Sequence, residues 1–528
     1  MTDEPLSKNQ LKKLEKEKAK EAEKALRAAK VEAERAAAAA IMNKQADSLD
    51  QAEYGYLPLI QSSATTTRVW TSLSKLSEAD IGKDVWIRAR IHESRCKGAI
   101  GFVVLREKLH TLQGVLDSNK HATRDMIKWA GGVPLESVCD FFGRVVAPDQ
   151  PVSGCSKSHV ELEVKQMLCV TKSLPQLPFM LKDANLPEAS AEGASVGQDV
   201  RLDNRILDLR TFASQAIFRV QSKVCELFRG YLLQHEFTEI HSPKLLGGQS
   251  EGGTNVFTLK YFDRPACLAQ SPQLYKQMAL SGDFDRVFEI GPVFRAENSN
   301  THRHLCEFTG LDVEMTFKEH YYEVLDEFNS MFKYIFKGLT EQCGEEAKII
   351  QGQFGVEPFV WIEDAPRLDF AEGIAMLREA GADVPGPDDI FDYDLDTVNE
   401  KKLGKLVKEK YGTDFYMLVR YPLAVRPFYS MPDPKDIRLS NSYDFFMRGE
   451  EIVSGAQRVH EPVYLAERAL ACGMDVAGIQ SYIDAFSLGA YPHAGCGVGL
   501  ERVVMLFLGL KNIRKSCLFP RDPKRLTP

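Results

Sequence analysis

Nowhere in its 528 residues does the chain run apolar for the roughly 18 positions that a membrane span requires. Its first residues, MTDEPLSKNQ, are charged and lack the apolar core of a secretory signal, so a cytoplasmic protein with no membrane partner is expected. No C-x-x-C pair occurs among the eleven scattered cysteines. Zinc sites and a disulfide framework therefore fit poorly, and free thiols in a reducing compartment fit well. There is no G-x-x-x-x-G-K-[ST] and no G-x-G-x-x-G after a strand, so neither a P-loop nor a Rossmann site explains any use of nucleotide. A basic excess is missing too. The net charge of −8 argues mildly against a nucleic-acid binder, although the distribution of charge outweighs its sum.

What is present is soluble globular protein, 44% hydrophobic and 27% charged, and too long for a single core. Residues 7–38 hold strong helix formers without Gly or Pro and with little to bury. Lys8, Lys12, Lys13, Lys16 and Lys20 recur at spacings that put most of them on one face, either a solvated stripe or one laid along phosphates. The charged extension and its Ala/Ser/Thr linker occupy 1–66. Residues 67–172 alternate in short runs such as VWIRARIHESR and VELEVKQMLCV, the texture of a small β-barrel of the oligonucleotide-binding (OB) kind. A Pro-bearing hinge spans 173–200. Residues 201–528 mix helical periods with strands joined by hairpins, which favours an α+β domain on an antiparallel sheet.

Three clusters in this last domain carry chemistry. FRAENSNTHRHLCEFTGLDVEM (294–315) sets two strands around a loop rich in Arg295, His302, Arg303 and His304. Arginine forks match phosphate or carboxylate oxygens, and an exposed hairpin tip is the plainer reading. In SYDFFMRGEEIVSGAQR (442–458), a turn at Arg448-Gly449 would bring Asp444 and Glu451 together. They would be either a Mg²⁺ pair or two solvated acids. GCGVGLERVVMLFLGL (495–510) reads as a glycine-rich turn entering an apolar helix with Arg502 in its first turns, for ligand approach or for packing.

Together the clusters resemble the motifs of class II aminoacyl-tRNA synthetases. HSPKLLGGQSEGG (241–253) resembles the first motif and its following loop, FRAENSNTHRHLCEF the second and GVGLER (497–502) the third. The barrel-first order resembles the subgroup charging aspartate, asparagine and lysine, and RLDNRILDLRT (201–211) resembles the entry to the aspartate members' catalytic domain. LSKNQLKKLEKEKAK resembles the tRNA-gripping helix of eukaryotic cytosolic members.

The resemblance implies an antiparallel sheet flanked by helices and a homodimer formed through the first motif at Pro243. It implies ATP and Mg²⁺ as companions. Arg295 would hold the α-phosphate, Glu297 the adenine amino group, Phe308 one adenine face, and Arg502 the other face and the γ-phosphate. Arg303, His304, Leu305, Gly499, Leu500 and Glu501 would complete the nucleotide site, and Asp444 and Glu451 would hold the metal. SPQLYKQ (271–277) and SGAQR (454–458) point to L-aspartate, because Lys276 and Arg458 would bracket a side-chain carboxylate. Ser250, Glu251, Gln273 and Ser454 would surround the rest of the amino acid. In the barrel, Phe102 and Gln113 match the positions that stack on and read the anticodon of tRNA(Asp), with Glu163 as a third contact. For Phe102 a barrel-core role is the alternative. Membership of a larger multi-synthetase complex is compatible with this. Three rivals are an asparagine-charging relative, an amide-forming ligase on the same domain, and a silent tRNA-binding protein. The lysine, the barrel with its basic helix, and the intact motif residues argue against them in turn.

Overall fold

The computed structural model describes residues 53–62, 65–188, 195–248 and 256–528. The lysine stripe of 7–38 lies outside them. The described chain divides into two compact units between Met180 and Leu181.

In the first unit the strands are β1 (Tyr54–Tyr56), β2 (Asp84–Lys97), β3 (Ile100–Glu107), β4 (His110–Asp117), β5 (Val138–Val146) and β6 (Glu161–Thr171). Pairings β2–β3, β3–β4, β4–β6, β6–β5 and β5–β2 close a five-stranded barrel, and β1 adds in parallel outside β6. Period-2 alternation sends Val103, Leu105, Leu112, Leu116, Leu162 and Val164 inward, where all are buried. The helix Arg124–Gly132, capped by the Thr123 hydroxyl accepting from the Met126 amide, adds Met126, Ile127 and Ala130 to this core. This is an OB-type barrel.

The second unit holds β7 (Thr238–Glu239), β8 (Leu245–Leu246), β9 (Thr258–Tyr261), β10 (Arg264–Leu268), β11 (Arg286–Phe294), β12 (Glu307–Thr316), β13 (Arg367–Asp369), β14 (Phe415–Val419), β15 (Ser442–Met447), β16 (Glu450–Gln457) and β17 (His493–Gly499). Eight of them form one sheet in the order β13-β14-β15-β16-β17-β12-β11-β7. It is antiparallel except at its two edge pairings. The helices Phe212–Gln234 and Tyr322–Gln342 show apolar residues at i, i+3, i+4 and i+7, among them Val220, Val224, Phe228, Phe328, Phe332 and Phe336. They bury that stripe against one face of the sheet, which contributes Leu311, Val313, Cys496 and Val498. On the opposite face, a cluster around Leu403, Tyr416, Leu418 and Phe446 makes one wall, and a second around Phe428, Tyr429, Tyr482 and Phe486 makes another.

Two local features differ from the sequence reading or refine it. Gly495, Gly497 and Gly499 lie in strand β17, not in a turn. They alternate with the buried Ala494, Cys496 and Val498, which is a strand period. The β15–β16 turn at Arg448-Gly449 has both residues at positive φ (50° and 72°), as a tight two-residue hairpin demands.

The turn is also wedged. A Cβ at Gly404, on the helix Thr397–Tyr411, would fall 2.4 Å from the Gly449 Cα. Gly404→Ala should therefore cost about 1–3 kcal/mol by overpacking. Gly132→Ala, with nothing within 4 Å of its added methyl, should stay within about 0.5 kcal/mol. Denaturant unfolding of both variants beside the wild type measures the contrast.

Candidate active site

Strand β12 is the floor. Its odd-numbered residues Leu311, Val313 and Met315 go to the helical core, which turns Gly310, Asp312 and Glu314 to the other face. Each of these stands opposite a glycine of β17: Gly310 with Gly499, Asp312 with Gly497, Glu314 with Gly495. A Cβ at Gly495 would sit 1.9 Å from a Glu314 carboxylate oxygen, so the glycine vacates the space the acid fills.

Glu314 is 0% exposed and is ion-paired twice. Arg458 donates Nε and Nη2 to its two oxygens at 2.8 and 3.1 Å, and Lys276 Nζ lies 3.3 Å away. Burial alone would raise this carboxyl, but Arg458 and Lys276 outweigh it and hold it below its usual range. Lys276 also donates to Asp312 Oδ1 at 3.1 Å and to the Cys496 carbonyl at 2.9 Å. A neutral chain continues from there. Arg458 Nη2 reaches Gln273 Oε1 at 3.4 Å, Gln273 donates to Gln277 Oε1, and Tyr482 donates to the same oxygen. The Gln277 amide nitrogen then meets His493 Nε2 at 2.9 Å. His493 Nδ1 lies 2.7 Å from the Tyr491 carbonyl, which can only accept, so the proton is on Nδ1 and Nε2 accepts. Burial pushes His493 down to about 4 and keeps it in that neutral form.

Above the floor is a cavity of 410 Å³. It brings together Gln273, Arg295, Glu297, Arg303, His304, Leu305, Phe308, Glu451, Ser454, Arg458, Gly499, Glu501 and Arg502, all named from sequence. Lys276, Asp444 and Leu500 do not line it. Lys276 is 1% exposed and is ion-paired with Asp312 and with Glu314, the acid that Arg458 also holds. Ser250 and Glu251 lie outside the described residues.

At the cavity's basic end the Arg295 guanidinium carbon is 5.6 Å from the Phe308 ring centroid. Its Nε is a buried donor with no acceptor among the described residues, the condition a bound anion would relieve. Arg502 donates to the Glu451 carbonyl at 2.8 Å. Burial, then Arg502 and Arg303, lower His304 from the ordinary histidine value. Both oxygens of Glu501 accept from the Thr309 amide, and burial drives that carboxyl up to about 7. Glu451 and Asp444 share a face because of a β-bulge. Phe445 pairs with Val453 but Phe446 with Glu451, leaving Ile452 as the extra residue. Burial, then the Asp444 charge, push Glu451 up to about 7. Asp444 itself is held by both Nη atoms of Arg426, at 3.0 and 2.7 Å, and Arg426 also donates to the Ser454 hydroxyl.

The β11–β12 loop is clasped from further along the chain. Arg514 donates to the Thr301 carbonyl and the Asn300 side chain, the Ile513 amide to the His302 carbonyl, and the Cys306 amide to the Arg521 carbonyl.

Sequence reasoning missed Asp312, Glu314, Arg426 and Glu400. The first two left a signal: acids two apart in the otherwise apolar FTGLDVEM must share a face and be buried or bound. Arg426 in a proline-flanked loop and Glu400 on a charged helix left none.

On the barrel, Phe102 is 41% exposed, so it is not a core residue. It pairs with Val115, Val104 pairs with Gln113, and Val115 pairs with Glu163, which places Phe102, Gln113 and Glu163 on one outer face. Gln113 donates to Glu161 at 3.0 Å and Glu163 is ion-paired with Lys120.

Comparison with known proteins agrees with this geometry. The family model described as tRNA synthetases class II (D, K and N) matches residues 197–523. The cytoplasmic aspartate–tRNA ligase of Homo sapiens is 52% identical over 478 residues, 90% of this chain and 94% of that one. The solved aspartyl-tRNA synthetase of Entamoeba histolytica is 42% identical with a TM-score of 0.83, covering 90% of this chain and 97% of that one. An asparaginyl-tRNA synthetase of Pyrococcus horikoshii complexed with asparaginyl-adenylate is more distant, 27% identical with a TM-score of 0.75, covering 88% of this chain and 100% of that one. An antiparallel sheet carrying this cavity, a family model that matches residues 197–523 and a relative 52% identical over 90% of the chain place it together: it belongs to the aspartate–tRNA ligases of the class II (D, K and N) tRNA synthetases.

Proposed function

We propose that the chain joins L-aspartate to tRNA(Asp) in the cytoplasm, first as aspartyl-adenylate with release of pyrophosphate, then by transfer to the terminal adenosine. The observation that carries this is the Arg295 Nε without an acceptor among the described residues, beside Phe308, in a cavity that Arg458 also lines. An anion with an aromatic base fits at the first, and a carboxylate fits at Arg458. Adenine lies between Phe308 and Arg502, with Glu297 at its amino group. Arg295 takes the α-phosphate, Arg502 also reaches the γ-phosphate, and Arg303 and His304 stand in the same nucleotide wall, where the Arg303 guanidinium offers a further cation to the phosphates. Leu305, Gly499 and Glu501 complete this wall, with Leu500 packed beneath. Arg458 receives the side-chain carboxylate of aspartate, with Lys276 paired to the same Glu314. Gln273, Ser454, Ser250 and Glu251 border the rest.

In this reading the aspartate α-carboxylate attacks the α-phosphorus and pyrophosphate leaves. The arginines stabilise charge that grows on the phosphoryl oxygens, and the fixed site supplies alignment. Mg²⁺ fits at Glu451. Burial and the Asp444 charge raise that carboxyl, which a cation would relieve; Asp444, whose oxygens Arg426 holds, would be the second residue to hold the ion. When bound, the ion would supply charge to the phosphates. The barrel face of Phe102, Gln113 and Glu163 reads the anticodon by stacking and base-edge hydrogen bonds. The extension 1–66 and the barrel 67–172 serve the tRNA, 173–200 links them to the catalytic residues 201–528, and two copies pair through the segment of Pro243. Residence in a multi-synthetase complex is a further proposal that these roles permit.

Exchange of pyrophosphate into ATP, driven by each amino acid in turn, tests the whole. Aspartate should support it and asparagine should not. Arg295→Ala should lose on the order of 100-fold or more while remaining folded. Near-normal exchange in that variant would overturn the nucleotide assignment.

Lys276→Leu tests specificity. It should lose most aspartate-driven exchange and proportionately less with asparagine, so the ratio falls. Because it strips a cation from Glu314 and Asp312, it should also lose about 3–5 kcal/mol of stability. An unchanged ratio would remove Lys276 from substrate selection. Gln113→Ala should depress tRNA charging and leave exchange intact. Equal falls in both reactions would mean the barrel face does not read the tRNA.

A further inference from the structure

Arg303 and His302 are neighbours on the β11–β12 loop, and each is held by a carboxylate from outside it. His302 Nε2 is 3.1 Å from Glu450 Oε1, which Lys401 Nζ reaches at 3.1 Å. Arg303 gives Nη1 to Glu400 Oε2, from a residue 97 positions further along. Glu400 and Lys401 share the helix Thr397–Tyr411, whose Gly404 is wedged on the backbone of Gly449. The carboxylate is thus mounted on a support that cannot drift from the hairpin bearing Glu451. Both members of the pair are largely withdrawn from water, with 15% and 7% of their side-chain surface exposed. A long cation at such a depth takes whatever acceptor is near, and without Glu400 it would sample several poses.

We propose that Glu400 is a positioning residue for the nucleotide: it fixes the Arg303 guanidinium in the cavity before ATP arrives, so the triphosphate meets a preset cation. The inference rests on the reading of Arg303 as a phosphate ligand. Arg303 is part of the cavity wall while Glu400 is not, so the acid orders the arginine without confronting the phosphates itself. Ordering a flexible side chain in advance lowers the cost of binding, which shows in affinity for ATP more than in the chemical step.

The test is aspartate-dependent pyrophosphate exchange on the full chain with ATP varied. Glu400→Gln keeps shape and loses charge. It should raise KM for ATP by about tenfold, the loss expected when a rotamer-rich side chain must be ordered on binding. The rate at saturating ATP should fall less than threefold, and KM for aspartate should not move. Arg303→Ala should raise KM for ATP too, and adding Glu400→Gln to it should do nothing more. Glu400→Asp, charged but one methylene shorter, should give a smaller rise, and it carries the test if Glu400→Gln is not recovered folded. An unchanged ATP KM in Glu400→Gln, with a raised one in Arg303→Ala, overturns the positioning role and leaves the phosphate reading standing. An equal effect of Glu400→Gln in the Arg303→Ala background also overturns it. No change in Arg303→Ala removes the phosphate reading and this proposal with it.

Discussion

A carboxyl that stays ionised without access to water needs positive charge around it, and Glu314 is met by Arg458 and Lys276 at once. Neither cation could stay at that depth alone, since an unpaired buried charge costs several kcal/mol. The triad therefore sets its own surroundings. Gly495 must lack a side chain, because the acid fills that volume. The β12–β17 register is pinned, because a slip of one residue would send Glu314 into the helical core and Val313 into the site. The neutral chain from Gln273 through Gln277 to His493 then takes up the remaining donors and acceptors in a single orientation. Each of these groups thus has its partners in place before any substrate arrives. Such pairing is what selecting a carboxylate over an amide of the same shape requires, since the wrong group must meet donors that will not move aside.

The Arg295 wall of the cavity obeys a different logic. Its cations are arginines on a loop and at a helix start, steadied by groups distant in sequence: Glu400 for Arg303, Arg426 for the Asp444 side of the hairpin, and Arg514 for the loop itself. Opposite charges are interleaved there, so each arginine has a resting partner. Arg295 and Arg426 nevertheless each keep a buried Nε without an acceptor among the described residues.

Legibility in the sequence follows the range of the interactions. The barrel strands were readable because buried Val103, Leu105, Leu112 and Leu116 recur at a period of two within their short runs, with less buried residues such as Phe102 and Gln113 between or beside them. The long helices were readable because their apolar residues keep a 3.6 period. The cavity wall was readable through motif residues, since Arg295, Glu451 and Arg502 sit in short patterned stretches. The β-bulge at Ile452 could not be read. It depends on how two strands pair, and without it Glu451 and Ser454, three apart, would face opposite ways. The strand character of G-C-G-V-G was masked by its glycines, whose conformational freedom suggests a turn when no partner strand is in view. The shared acid that ties Lys276 to Arg458 could not be read either, because Glu314 and Asp312 lie on another strand.

The clasp on the β11–β12 loop has a consequence for the order in which the molecule is made. Asn300, Thr301 and His302 are fastened by Arg514 and the Ile513 amide, and Cys306 by the Arg521 carbonyl. During synthesis the barrel can close as soon as its own strands have emerged, since all its pairings are internal. The clasp on the loop must wait for some two hundred further residues, although Glu400 and Glu450 reach Arg303 and His302 sooner. A ribosome-bound chain can thus carry a finished barrel long before it has a finished cavity. A break or fusion near residue 514 would be felt at the far end of a hydrogen-bond relay, in the middle of the site.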